Sequence, residues 1–369
     1  MRRAVAFQIE AGYLIDGRGA IAMRKRAITI AFALIPVVML SVAADLSLAR
    51  DAAVTLADKD LDSPDRVLVL DGTFVHDVGT LLMHMSNWGL FGSMPSSMLP
   101  FSYAPSAYWP AGEGTEYLYA AGIWIGGVVG GVPSVSTSVF ESEFRPTNDP
   151  IDIIYRTYAG APGGDRFPFS GADDDGDGLV DEDRLDGRDN DGDGLIDEDF
   201  AAISQQMFTS WYTDYEPAAA QVYPEHRPLN IKVEQESYQW DDPRFDDFVG
   251  VTVKITNMGN ETIEQVYLGV FADFDAGART TPEYWSDDGA GSWLSSLAGP
   301  KCTDIGPAML NLMYGYDVDG DAGRTPGYLG CMFLGHTLDP LGLAAPSEVK
   351  VRSFHVFSST APYETGGDP

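Results

Sequence analysis

Between Phe248 and Ala272 the chain reads FVGVTVKITNMGNETIEQVYLGVFA. Val249, Val251, Val253 and Ile255 recur at every second position, the period that sends alternate side chains to opposite faces of a strand. Asn257-Met258-Gly259-Asn260 carries turn residues, and Ile263 to Ala272 returns as a second apolar run. Two β-rich runs joined by an Asn/Gly turn predict an antiparallel hairpin, and with it a mainly β chain.

The flanking sequence extends that pattern. Ile231 to Trp240 alternates, with Ile231, Val233, Gln235, Ser237 and Gln239 on one side, and Val349 to Phe357 alternates near the C-terminus. Upstream, Arg66 to Leu70 is strand-like, Tyr117 to Val129 reads as buried strands broken by Gly, and Val135 to Phe140 as a half-exposed strand. Gly79 to Gly92 ends in a Gly-bounded aromatic turn, whereas Ser93 to Pro110 and Phe208 to Tyr223 read as aromatic loops. Forty Gly and 23 Pro supply the turns an all-β architecture needs, and 44% hydrophobic residues supply its core. A length of 369 residues accommodates two or three domains, or one large β structure with insertions. The expected fold is mainly β: one or more β-sandwich modules with a helix-poor, Asp-rich loop segment.

That segment, Asp173 to Asp199, reads DDDGDGLVDEDRLDGRDNDGDGLIDED, one eleven-residue phrase written twice, sixteen residues apart. Carboxylates on alternate residues of a tight loop converge on a hard cation that takes about six to eight oxygens, which points to calcium. Asp173, Asp175 and Asp177 occupy loop positions one, three and five; Gly178 makes the turn, and the Leu179 carbonyl and Asp181 follow. Asp189, Asp191, Asp193, Gly194, Leu195 and Asp197 match them in the second copy. Regular EF-hand loops end in Glu at position twelve, but Arg184 and Phe200 stand there, and no amphipathic helix flanks either copy. The final ligand is left to Glu182, Asp183 or Asp186 in the first copy and to Glu198 or Asp199 in the second. A solvated acidic linker is the competing reading, but a linker has no reason to hold Gly, Leu-Val and Leu-Ile in register.

This segment resembles the thrombospondin type 3 repeat, a helix-free tandem array of loops packed around calcium. The 255–271 stretch resembles immunoglobulin-like β-sandwich modules of bacterial surface proteins. Taken with the turn at Asn87 to Gly92 and the strand at Tyr117 to Gly126, the order of features resembles a group of secreted bacterial proteins that carry no assigned activity. Relatives of that kind often end in a C-terminal sorting domain. Gly366-Gly367-Asp368-Pro369 is an abrupt stop by comparison, so the expectation is that such a domain is missing and the chain truncated.

Met23-Arg24-Lys25-Arg26 followed by an apolar run and Ser41-Val42-Ala43-Ala44 has the build of a secretory signal peptide cleaved after Ala44. The expected division is therefore 1–22 as a mis-assigned start, 23–44 as the signal peptide, 45–165 as a β-rich region, 166–202 as the tandem repeat and 203–369 as a sandwich-like region. Whether the repeat links two domains or is inserted into one sandwich is left open. The product is expected outside the cytoplasm or at the cell surface, with no membrane span once the leader is removed. Cys302 and Cys331 form a bridge in an oxidising compartment, or Cys331 is a buried thiol in its apolar run.

A net charge of −32 opposes binding to nucleic acid or anionic membrane. A second acidic group, Asp273 with Asp275 and Asp317 to Asp321, reads as an additional calcium site or as a polar Asp/Gly turn. No nucleophile elbow, HExxH motif or phosphate loop occurs. Of the five histidines, His84 and His355 are expected to be packed in apolar strands. These features point to a secreted, calcium-stabilised structural or adhesive protein with no catalysis. Its partners would be calcium ions and a surface glycan or another envelope protein. The alternatives are a carbohydrate-binding module using Trp109, Trp211 or Trp285, with Trp124 in the core, and a secreted hydrolase.

Overall fold

A computed structural model of the chain describes residues 3–12, 22–23, 27–37, 73–92, 104–139, 143–147, 153–158, 204–293, 296–297, 308–309, 312–336 and 348–358, with 178, 185, 187–189, 192, 194 and 196 in the Asp-rich segment. Among the described residues 52% lie in strands and 4% in helices, so the chain is mainly β. The first sheet runs in the order β20 (Glu348–Ser358), β1 (Arg3–Gly12), β14 (Ile263–Asp273), β8 (Ala120–Val129), β6 (Leu90–Gly92), β5 (Leu82–Ser86) and β4 (Thr73–His76). To it β2 (Ala22–Met23) adds at β14, β7 (Ser106–Tyr108) at β5 and β9 (Val132–Thr137) at β8.

The second sheet is β10 (Tyr155–Tyr158), β11 (Gln206–Thr213), β12 (Ile231–Gln239), β13 (Val249–Asn257), β3 (Ala27–Val37), β19 (Tyr328–His336), β18 (Leu312–Asp317) and β15 (Asp288–Trp293). A small pair, β16 (Ser296–Leu297) with β17 (Ala308–Met309), stands apart, and α1 (Pro217–Val222) is a short helix after β11. Met83, Ile123, Leu268 and Val270 of the first sheet share one continuous core with Phe208, Val233, Val251 and Val253 of the second. Residues before and after the Asp-rich segment therefore bury each other in a single β-sandwich.

The hairpin expected over 248–272 does not form. Both strands exist, but β13 pairs with β12 and β3, whereas β14 pairs with β8 and β1 in the opposite sheet. In a hairpin both apolar faces would lie on the same side of one sheet. Here Val251 and Val253 of one sheet and Leu268 and Val270 of the other line the same core, and the connection is an arch. Asn257 holds the corner: its Oδ1 accepts the Gly259 N–H at 2.9 Å and its Nδ2 donates to the Glu261 carbonyl at 2.9 Å. Period-two alternation is identical for the two topologies, which is why the sequence does not separate them.

Polar residues on the inner face of β12 have a use that alternation alone hides. Gln235 Nε2 donates to the Ser86 carbonyl at 3.2 Å, and Gln239 Nε2 donates to the Leu81 carbonyl at 2.6 Å. His76 lies 3.1 Å from Gln206 Oε1 through Nδ1 and 2.8 Å from Ser237 Oγ through Nε2, with its ring stacked on Phe208. These bonds tie the backbone and side chains of one sheet to the other, so Gln235, Gln239 and His76 find their partners across the interior. Burial pushes the His76 imidazole down to about 3 and the His84 imidazole down to about 4.

Several expectations are corrected. The aromatic stretch 208–223 is not loop-like: it holds most of β11 and then α1. Nearly every residue of β11 is buried, so it shows no alternation to read. His84 is buried as expected, but His355 is exposed. Cys331 is a free, fully buried thiol, with burial raising its pKa, while Cys302 and Arg66 to Leu70 lie outside the described residues. The apolar run read as a leader contributes β3, paired to β13 on one side (Ile30 with Val253) and to β19 on the other (Leu34 with Cys331).

Candidate metal centres

The tandem repeat leaves the sandwich after β10 and returns at β11, its direct antiparallel neighbour. The spacer between the two copies touches the sheet. Leu185 is buried against Tyr155, and its carbonyl accepts the Thr209 hydroxyl at 2.5 Å. Gly187 follows with a φ of +69°, and a Cβ there would stand 2.3 Å from the Tyr155 hydroxyl. Glycine is required at this contact on both counts.

Gly178 and Gly194, the sixth positions of the two loops, have φ of +97° and +102°. Nothing lies within 4 Å of a Cβ built on either, so backbone conformation and not space selects glycine there. The sixth-position glycine therefore takes the same left-handed conformation in both copies. In the second, Asp189 Oδ1 accepts the Gly192 N–H at 2.6 Å and Oδ2 accepts the Gly194 N–H at 3.0 Å. A first-position carboxylate that gathers later amides folds the loop back over itself, the arrangement a cation-binding loop uses. Of the expected ligands, Asp189 is described. Asp173, Asp175, Asp177, Leu179, Asp181, Asp191, Asp193, Leu195 and Asp197 lie outside the described residues.

A second carboxylate group forms where three strand ends meet. Asp273 closes β14 and Asp275 follows it; Asp287 precedes β15 and Asp288 opens it; Asp317 closes β18 and Asp319 follows in the next turn. Asp288 and Asp317 stand directly opposite one another in the β15–β18 register. Gly315 makes the meeting possible, because a Cβ there would lie 2.2 Å from the Phe274 ring that carries the end of β14 onto β18. One carboxylate oxygen from each of Asp287, Asp317 and Asp319 falls within 4.8 Å of the others.

Asp317 Oδ1 accepts the N–H groups of Asp319 and Gly320 at 3.0 and 2.6 Å. Asp288 is 3% exposed; its Oδ2 accepts the Ala276 N–H at 3.1 Å and its Oδ1 has no hydrogen-bond partner. Burial, reinforced by the charges of Asp275, Asp317 and Asp287, pushes the Asp288 carboxyl up to about 9. Beside this group, Glu116 is buried, ion-paired to Arg279, and pushed up to about 8, mainly by burial. Of these residues the sequence pointed to Asp273, Asp275, Asp317, Asp319 and Asp321. It missed Asp287 and Asp288, which have no alternate-residue Asp spacing to mark them, and Glu116, which is brought in only by tertiary packing.

The aromatic candidates are partly covered. Trp109 packs against the core and edge-on to Tyr117, and Lys232 lies over the ring of Trp211. Trp285 meets Tyr284 edge-on, and half-buried Trp124 stacks on Phe271 at 5.0 Å. The sequence missed a cluster of three tyrosines, Tyr314, Tyr316 and Tyr328, whose rings lie 4.8 to 6.2 Å apart on β18 and β19. Gly289 and Gly291 of β15 provide the floor under Tyr316 and Tyr314. Comparison with protein-family models, curated proteins and solved structures finds no match to the chain.

Proposed function

We propose that this is a secreted, calcium-stabilised β-sandwich protein with a structural or adhesive role at the bacterial cell surface, and that it performs no catalysis. The observation that carries the reading is the repeated left-handed glycine at the sixth position of both Asp-rich loops, joined in the second copy by an Asp189 carboxylate that gathers two loop amides. Calcium in these loops would offset the repulsion of twelve Asp and two Glu in 27 residues and convert metal binding into folding free energy.

Limited trypsin digestion of the full chain tests this. Arg184 and Arg188 lie in the spacer between the copies. Cleavage there should slow roughly tenfold or more in calcium relative to chelator, as expected if the ion stabilises the closed loop by about 1.4 kcal/mol. Equal cleavage in both would leave an acidic linker.

Export rests on the leader-like run, which also supplies β3. Cleavage after Ala44 would uncover the edges of β13 and β19. N-terminal sequencing of the secreted form decides whether this strand is retained.

A second reading, a carbohydrate-binding module, is supported by the tyrosine cluster on β18 and β19, since half-exposed aromatic faces offer an apolar platform to a sugar ring. Retention on an insoluble polysaccharide that is lost in Tyr316→Ala would favour it.

A further inference from the structure

Two buried carboxylates of this sandwich are treated very differently. Asp214 is fully buried and receives three donors: the N–H groups of Leu229 and Ile231 at 2.6 and 2.9 Å, and the Ser136 hydroxyl at 2.8 Å. Those donors offset part of the burial that raises its pKa. Asp288 is as deeply placed, yet it receives one amide, and its other oxygen has no hydrogen-bond partner while the charges that act on it are carboxylates. Among the described residues, the charged groups that act on Asp288 are Asp275, Asp317 and Asp287, all acidic. Arg279 in the same region is ion-paired with Glu116.

We propose that Asp287, Asp288, Asp317 and Asp319 bind one divalent cation of the calcium class at this end of the sandwich, separate from the tandem repeat. Oxygens on opposite sides of a calcium ion lie about 4.6–5.2 Å apart, and the Asp287, Asp317 and Asp319 oxygens fall within 4.8 Å of one another. Asp288, with a buried oxygen that has no hydrogen-bond partner, stands beside this trio, across from Asp317 in the strand register and next to Asp287 in sequence. Four carboxylates on one ion suit calcium better than magnesium, which keeps several waters and about one or two carboxylates. The amides of Asp319 and Gly320 hold the Asp317 side chain in place. Asp287 and Asp319 are exposed, so an ion would enter from solvent and close over buried Asp288 and Asp317.

The site stands whether or not the tandem loops bind metal. Its test is equilibrium dialysis of chelator-stripped full chain against calcium alone, with the bound ion counted in wild type, Asp288→Asn and Asp189→Asn. Asp288→Asn should bind one ion fewer than wild type, and its metal-free melting temperature should equal or exceed that of wild type, because the amide oxygen can still accept the Ala276 N–H and is neutral without taking up a proton. That second readout separates loss of the ligand from failure to fold; Asp317→Asn should repeat the loss. Asp189→Asn should keep this ion. An Asp288→Asn chain that binds as many ions as wild type overturns the proposal, and identifies Asp288 as a neutral, protonated carboxyl. If the tandem loops bind nothing, wild type still takes one ion and Asp288→Asn takes none.

Discussion

In the tandem repeat, the aspartates follow one another along one continuous stretch of sequence, with Gly178 and Gly194 in left-handed conformation and Leu185 packed against the sheet. At the end of the sandwich, the aspartates come from three separate strands and are brought together by the packing of Phe274 over Gly315. The first arrangement is written locally, and its geometry depends on few residues outside it. The second exists only once both sheets have closed, and it places Asp288 and Asp317 in the interior. A metal at the first should order a loop; a metal at the second should bear on the stability of the whole fold.

The largest expected effect isolates the sandwich from both acidic regions. His76 and His84 are held neutral inside it, at about 3 and about 4, whereas both titrate near 6.5 when unfolded. Because the folded values are depressed, their contribution is complete above pH 6.5 and is lost as the pH falls toward the folded values. At pH 5 each costs about 2 kcal/mol. Denaturant unfolding of wild type and His76→Gln between pH 6 and 5 checks this. The slope of stability against pH should fall by about one proton in the variant, and an unchanged slope would mean the imidazole is not buried.

Next in size is the contact between repeat and sheet. Leu185→Ala removes a buried side chain from against Tyr155 and should cost about 2 kcal/mol in the docking of the repeat, less than a change in the main core. The expected signature is confined to the segment: faster tryptic cleavage at Arg184 and Arg188, with the melting temperature of the sandwich nearly unmoved. A large drop in melting temperature would show that the repeat and the sandwich are one cooperative unit.

The smallest effect falls on one loop. Gly194→Ala forces an L-residue to a φ of +102° and should cost about 1 kcal/mol, weakening calcium binding at the second loop several-fold. The ion count of the Asp288 site should not change. If Gly194→Ala instead lowered binding at both places, the two regions would be coupled and the contrast between them would fail.

The sequence made the class of fold and the first region legible for the same reason. Alternation at Val249, Val251, Val253 and Ile255, like the spacing of Asp189, Asp191 and Gly194, is a short-range code. What it did not make legible depends on which side of a strand meets which partner. The 248–272 stretch becomes an arch between sheets because Val251 and Leu268 reach the shared core from opposite sheets, and nothing in either strand alone says so. Strand β11 was missed because burial on both faces erases alternation. Asp288 was missed because its importance lies in standing opposite Asp317, about thirty residues away.

The most direct measurement is calcium titration into chelator-stripped full chain, with bound ions and melting temperature followed together. The account predicts two or more ions per chain. At a calcium concentration near a hundred times the dissociation constant, each would stabilise by about 2.7 kcal/mol, for a combined rise in melting temperature of roughly 10 °C. No binding at millimolar calcium, with an unchanged melting temperature, would contradict it.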